Sequence, residues 1–310
     1  MAEETTLTTI ANDGDLAQFG NLAPEVGNFF MIWRAFRKNK LALAASIILL
    51  IIILGAFAAP LLATHAPTKI DLSPQLQKLA PSSAHLLGTD DMGRDLWSRI
   101  LYGSRVSLIV AFLTSLFSII IGVTYGALSG YYGGRLDMVL MRFVDIMLSL
   151  PTMFLLIIFA AFVQLNAVGI ALVISATNWM SIARIVRGEF LRYKEREFVE
   201  AAHAMGFSNT RIIFRHIMPN VTAPVIVNAT LMVAYSILTE STLSFLGLGV
   251  QPPQFSWGSM LTNAQDLVLL QNAPWVAIFP GIAIFITVLC FNFFGDGLRD
   301  ALDPKLKNIK

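Results

Sequence analysis

Charge is what this sequence has least of. Asp, Glu, Lys and Arg make up 14% of 310 residues, against 55% apolar residues and a mean hydropathy of +0.67. A soluble domain carries about a quarter charged residues, so most of this chain is expected inside a bilayer. Cysteine is nearly absent as well. The single Cys290, in an apolar run, excludes an intramolecular disulfide and a thiolate metal cluster. No G-x-x-x-x-G-K-[ST] stretch exists, so nothing here is built to cradle nucleotide phosphates, and any ATP chemistry must come from another chain. There is no G-x-S-x-G and no intramembrane carboxylate pair. The four histidines, His65, His85, His203 and His216, have no second ligand type at helical spacing within a span. A membrane enzyme is therefore disfavoured, and no metal or bound cofactor is expected.

What remains is a series of long apolar segments. Residues 1–28 are polar, with Glu3, Glu4, Asp13, Asp15 and Glu25, and read as a mobile tail. Over residues 29–40, Ile32, Trp33 and Phe36 share a helical face while Arg34, Arg37 and Lys38 point elsewhere, which predicts an amphipathic interfacial helix. Residues 41–62 carry no charge and are long enough for a first span. They begin too late, and run too long, for a cleaved signal peptide. Residues 63–104 form a polar loop with Pro67, Pro74 and Pro81. It ends in Gly88-Thr89-Asp90-Asp91-Met92-Gly93-Arg94-Asp95, a capped turn before the amphipathic Leu96, Trp97, Ile100 and Leu101.

The core, 105–296, holds five further spans. Residues 106–134 form the second, with Gly122, Gly126 and Gly130 at four-residue intervals where another helix can approach. Arg135, Asp137 and Arg142 mark a short polar turn. The 38 uncharged residues from Ile146 to Ala183 are too many for one helix, and a break at Gln164-Leu165-Asn166 yields the third and fourth spans. Residues 221–246 make the fifth, ended by Gly247, Gly249, Pro252 and Pro253, and residues 275–294 the sixth. A polar tail, 297–310, follows. The predicted fold is an all-α polytopic membrane protein with six transmembrane helices.

Basic residues orient it. With the N-terminus cytoplasmic, 17 of 22 Lys and Arg fall on cytoplasmic segments, leaving Lys69, Lys78, Arg94, Arg99 and Arg105 outside. Both termini are then cytoplasmic. Trp97, Trp257 and Trp275 lie near the outer interface, and Trp33 and Trp179 near the inner one.

Two acids lie in or near the bilayer, where charge is costly. Asp145 has two readings, a helix-end pair with Arg142 at i, i+3 or a polar group on a translocation path. Glu240, late in the fifth span, either pairs across helices, with Arg105 a candidate, or lines such a path. The sequence leaves both open.

The polar interval 188–220 differs from its surroundings. Its run Arg192 to Glu197 reads as a solvated face beside anionic lipid. Glu200-Ala201-Ala202-His203-Ala204-Met205 favours a thin helix, and Gly206 caps its end. Ser208 opens a second short helix with Ile212, Ile213 and Ile217 beneath, which Pro219 ends. A helical turn this short between two spans does not reach a nucleic-acid groove. It reads as a handle for a partner.

These residues resemble a known family. Glu200-Ala201-Ala202, Gly206 and Pro219 are similar to the E-A-A loop of inner-membrane permease subunits of ABC importers. Arg215-His216-Ile217-Met218-Pro219-Asn220 resembles its dipeptide and oligopeptide branch, with His216 and Met218 where many importers have isoleucine and leucine. Three more stretches agree: Gly88-Thr89-Asp90 with Gly93-Arg94-Asp95, Glu240 through Gly249, and Gly295 through Pro304. Together they cover the chain from about residue 30 and resemble the C-type permease.

The resemblance implies a type I importer in the bacterial inner membrane. Its expected partners are a homologous B-type permease, two cytoplasmic ATPase subunits carrying ATP and Mg, and an extracytoplasmic peptide-binding protein. Glu200 to Gly206 would be the coupling helix seated in an ATPase cleft. Such families also move nickel chelates, glutathione or other small solutes. A stand-alone secondary transporter would show inverted repeats and broken midplane helices, and no convincing repeat is present.

Overall fold

The computed structural model describes residues 28–163 and 166–302. Most of the expected N-terminal tail, the Gln164-Leu165 part of the expected break and residues 303–310 lie outside the described residues. Five helices are long and apolar enough to cross a membrane, or six if one bent pair counts as a span.

Helix α1, Asn28–Lys38, is the expected amphipathic segment, but part of its apolar face is covered by the chain itself. Phe36 is buried and meets Phe294 edge-on at 5.6 Å, beside Ala42 and Ala301. Asn39 then caps α2, Lys40–Phe57, its Oδ1 accepting from Ala42 N at 3.1 Å. The first span is thus shorter than its apolar run. Pro60 has no N–H to offer the carbonyl of Ala56, and the helix stops before a short α3, Ala59–Leu62. Arg105 supplies the missing donors, Nε to Ala56 O and Nη2 to Phe57 O at 2.8 Å. Glu240 is therefore not its partner.

Helix α4, Leu96–Tyr132, merges the expected interfacial turn with the second span, because nothing between Leu101 and Val106 breaks a helix. Its 37 residues reach about 55 Å at 1.5 Å each, well beyond a hydrocarbon core. The glycine stripe packs against α7, Ala167–Lys194: a Cβ on Gly126 would lie 2.4 Å from Ala183 O, and one on Gly130 2.6 Å from Phe190 Cβ. This pair is the spine of the molecule.

Between them the expected third span is bent. Helices α5, Gly134–Ser149, and α6, Thr152–Ala160, meet at 91°. Pro151 lacks a donor and holds Leu150 extended, with ψ at 140°, so the helix cannot pass through. The expected polar turn is instead the first part of α5, where Asp137 accepts two bonds from Arg187 of α7. Asn166 then opens α7, its Oδ1 accepting from Gly169 N at 2.8 Å.

Helix α8, Glu197–Ala204, crosses to α9, Asn209–Phe245, the fifth span. Two short helices follow in turn, α10, Trp257–Met260, and α11, Leu267–Asn272. Helix α12, Trp275–Leu302, continues into the expected polar tail as far as the described residues go. Gly297 is a packing residue there: a Cβ on it would lie 2.2 Å from the Ala42 Cβ. Trp179 and Trp257 are both buried against the chain's own helices.

Candidate functional site

Helix α8 ends in a complete Schellman motif. Gly206, at φ 75°, donates to His203 O at 2.9 Å, and Phe207 N donates to Ala202 O at 3.1 Å. Only the absence of a Cβ makes that backbone inexpensive. Val199 and Ala202 are fully buried in a cluster with Val186 and Phe190 of α7, Tyr131 of α4, and Ile212, Ile213, Ile217 and Val221 of α9. Tyr131 Oη also donates to Asn209 Oδ1 at 2.8 Å. The turn is therefore bolted to three long helices. Any force on it reaches their ends.

Among the described residues nothing covers the opposite face. Glu200, Ala201 and Ala204 are exposed, as are Phe198, Met205 and Phe214, and a Cβ on Gly206 would meet nothing within 4 Å. The three alanines consequently divide: Ala201 and Ala204 keep the outer face low, while Ala202 serves the chain's own core.

Pro219 does not end the second helix. It lies in the first turn of Met218–Phe245, continuous with the segment before it. Ser208 occupies the N-cap position without a side-chain cap bond. Residues Ile212–Ile217 are wound as a π-helix, in which Met218 N reaches back to Ile213 O. Pro219 has no N–H for the carbonyl of Arg215, and its ring would press on that carbonyl in a regular α-helix. The wider turn relieves the contact. Asn220 Nδ2 donates to His216 O at 2.8 Å and covers one carbonyl of the loosened ladder. No sequence signal separates a proline that ends a helix from one that widens it.

Near the far end of α9, Glu240 is fully buried. Its Oε1 accepts from Ser244 Oγ and Ser256 Oγ, both at 2.6 Å, and Oε2 has no hydrogen-bond partner among the described residues. Ser256 caps α10, and Trp257 holds α4 through Ser107 Oγ at 3.1 Å and Ile100 O at 3.0 Å. Asp145 is half-exposed and pairs with Arg184 of α7, not with Arg142. Its partner lies 39 residues away, a distance that helical spacing does not reveal.

The outer-loop motif folds into a knob at the start of α4. Asp90 is its hub, with Oδ1 accepting from Met92 N and Arg94 N at 2.9 Å each and Oδ2 from Arg94 Nε at 2.7 Å. Arg99 stands 3.7 Å from the same carboxylate and lies over the Phe255 ring. Gly88 and Gly93 have positive φ, and a Cβ on Gly93 would lie 2.1 Å from Asp71 O. Trp275 Nε1 of α12 donates to Thr89 O at 3.1 Å. Asp95 caps α4 through Ser98 N at 2.9 Å. Burial pushes its carboxyl up, but the hydrogen bonds from Ser98 and His85 outweigh that and hold it below the usual carboxylate range. A cavity of about 400 Å³ lies between this knob and residues 244–263, lined by Asp90, Arg94, Arg99 and Phe255.

Comparison with known proteins gives this architecture its relatives. Residues 122–308 match the family described as binding-protein-dependent transport system inner membrane component. Residues 29–81 match the N-terminal transmembrane domain of oligopeptide transport permease C. A dipeptide transport system permease protein of Alkalihalophilus pseudofirmus is 44% identical over 89% of this chain and 90% of its own length. An oligopeptide transport system permease protein of Haemophilus influenzae is 45% identical over 88% and 87%. A glutathione transport system permease protein of Pectobacterium atrosepticum is 42% identical over 89% and 91%. Among solved structures, a chain of the inward-facing MetNI methionine ABC transporter superposes with a TM-score of 0.54 at 20% identity, over 66% of this chain and 96% of that one. The fold is that of an ABC importer permease. With the family match spanning more than half its residues, this multi-pass membrane chain belongs to the inner-membrane components of binding-protein-dependent transport systems.

Proposed function

We propose that this chain is one of two transmembrane subunits of an ATP-driven importer of short peptides. The observation that carries the reading is the turn at Glu200–Gly206, capped, rooted in three long helices, and presenting a low outer face that nothing among the described residues covers. Glu200, Ala201 and Gly206 form the contact with a cytoplasmic ATPase, Ala202 fixes the turn beneath it, and Pro219 sets its angle on α9. ATP and Mg belong to two such ATPase partners. A homologous B-type permease completes the path, and an extracytoplasmic binding protein delivers the cargo. Both termini lie in the cytoplasm.

The printed names of the relatives, for dipeptide, oligopeptide and glutathione transport, favour short peptides as cargo. We assign Glu240 a positioning role, holding the 256–260 turn, and leave Asp145 as the candidate polar group facing the second permease. Co-reconstitution with a second permease, ATPases and binding protein tests the reading. Uptake of a labelled di- or tripeptide should require both ATP and the binding protein. Uptake by this chain alone, driven by an ion gradient, would overturn it.

A further inference from the structure

Three side chains far apart in the sequence meet where the first span, the outer loop and α4 come together. His65 follows the end of α3, His85 lies in the loop, and Asp95 caps α4. His85 Nδ1 is 2.9 Å and His65 Nδ1 3.8 Å from the same oxygen, Asp95 Oδ1. One ligand atom from each of the three residues falls within 4.8 Å of the others. The imidazoles stack with ring centroids 4.5 Å apart. We propose that His65, His85 and Asp95 bind a divalent transition-metal ion, with zinc the best fit, leaving a fourth position to water.

The donor set suits zinc, which takes nitrogen and carboxylate ligands at about 2.0–2.2 Å in a tetrahedron. Ligand atoms of such a site stand about 3.3 Å apart. The two separations from Asp95 Oδ1 bracket that value, and the ligand atoms of the two histidines lie within 4.8 Å of each other, so side-chain movement about Asp95 Oδ1 that draws the two imidazoles together makes the site. The carboxylate is already oriented. Its other oxygen, Oδ2, accepts from Ser98 N at 2.9 Å, Ser98 Oγ at 2.6 Å and Thr64 Oγ1 at 3.3 Å. Hydrogen bonds of this kind hold ligating carboxylates in place at metal centres. His65 N also donates to Ser98 Oγ at 3.1 Å, which fixes the backbone of the third ligand. The Asp95 side chain is 1% exposed, His85 10% and His65 42%, so the cluster is closed beneath and open through His65. An ion there would pin the outer end of the first span to the knob that caps the second. This site is independent of the cargo and of the ATPase contact.

The test uses the full chain, purified with its partner subunits under a tag free of histidine. The complex is stripped with a chelator and titrated with zinc chloride against a chromogenic competitor, and cobalt is then substituted for its tetrahedral absorption. The expected result is one equivalent of zinc per chain, with His65→Gln and His85→Gln each weakening binding by at least about tenfold. The cobalt band should vanish in both, and His203→Gln should leave zinc affinity and the cobalt band unchanged. His65 is exposed enough that His65→Gln keeps the fold even if His85→Gln does not. Zinc should raise the thermal midpoint of the parent complex and leave that of His65→Gln unmoved. Absence of a tight equivalent in the parent, or equal affinity in His65→Gln, would overturn the site.

Discussion

A single missing Cβ separates what the turn does for its own chain from what it does for a partner. Gly206 stands at φ 75° with open space around it, so Gly206→Ala and Gly206→Gln impose the same backbone strain, about 1–2 kcal/mol. Side-chain size can then act only through whatever covers the turn. Binding-protein-stimulated ATPase activity in liposomes should fall modestly for Gly206→Ala and several-fold further for Gly206→Gln, with equal amounts of assembled complex. Equal losses would mean that no surface packs there. Glu240 offers the converse case, a residue with no free face. Glu240→Gln keeps an oxygen to accept from Ser244 and Ser256, so assembly and import should persist with a lowered thermal midpoint. Glu240→Ala removes both bonds and opens a cavity, at a cost of at least about 2 kcal/mol. If Glu240→Gln abolished import at an unchanged midpoint, the carboxylate would belong to the translocation path instead.

Helices are where the sequence was easiest to read and where it misled in specific ways. The stripe Gly122, Gly126 and Gly130 announced a close helix pair, because four-residue spacing puts small residues on one face. The capped turn ending at Asp95 and the Gly206 cap were also visible, since each acts on backbone groups within a few positions, whereas Asn166 was read only as part of a break and proves to be a cap. Prolines were not. Pro60 shortens the first span, Pro151 bends the third, and Pro219 widens a helix it was expected to end. The outcome at Pro60 involves a distant group, Arg105, at the carbonyls that the proline leaves free. The glycines can be ranked by the same geometry. Gly126→Ala drives a Cβ to 2.4 Å from the Ala183 carbonyl, where backbone on both helices must yield, and should cost about 1–3 kcal/mol. Gly55→Ala meets only Leu101 Cδ2, at 3.9 Å, and should be neutral or stabilising by up to about 1 kcal/mol. Thermal unfolding of the two purified variants in one detergent checks the order.

For the whole molecule, composition was enough to reveal a bundle of spans, because a chain this apolar has few other stable forms in water or lipid. The alanine division in α8, the Asp145–Arg184 pair and the meeting of His65, His85 and Asp95 were hidden, since each joins segments that only the fold brings together. Orientation is a property of the same scale. The turn at Glu200–Gly206 and the knob at Gly88–Asp95 lie at opposite ends of α4, the first against Tyr131 and the second at the Asp95 cap. A helix of 37 residues exceeds the bilayer core, so these two sites must face opposite sides of the membrane. The bias of Lys and Arg predicts that the turn faces the cytoplasm, as the proposed function requires. Cys290 is buried against Ala45 and Leu49, so the native thiol gives little background to a membrane-impermeant reagent. Ser83→Cys, exposed beside the knob, should therefore label in intact spheroplasts, whereas Ser208→Cys, exposed at the turn, should label only after permeabilisation. The reverse pattern would invert the molecule and remove the ATPase from reach of its handle. Labelling of both sites in sealed cells would mean that α4 does not cross the membrane at all.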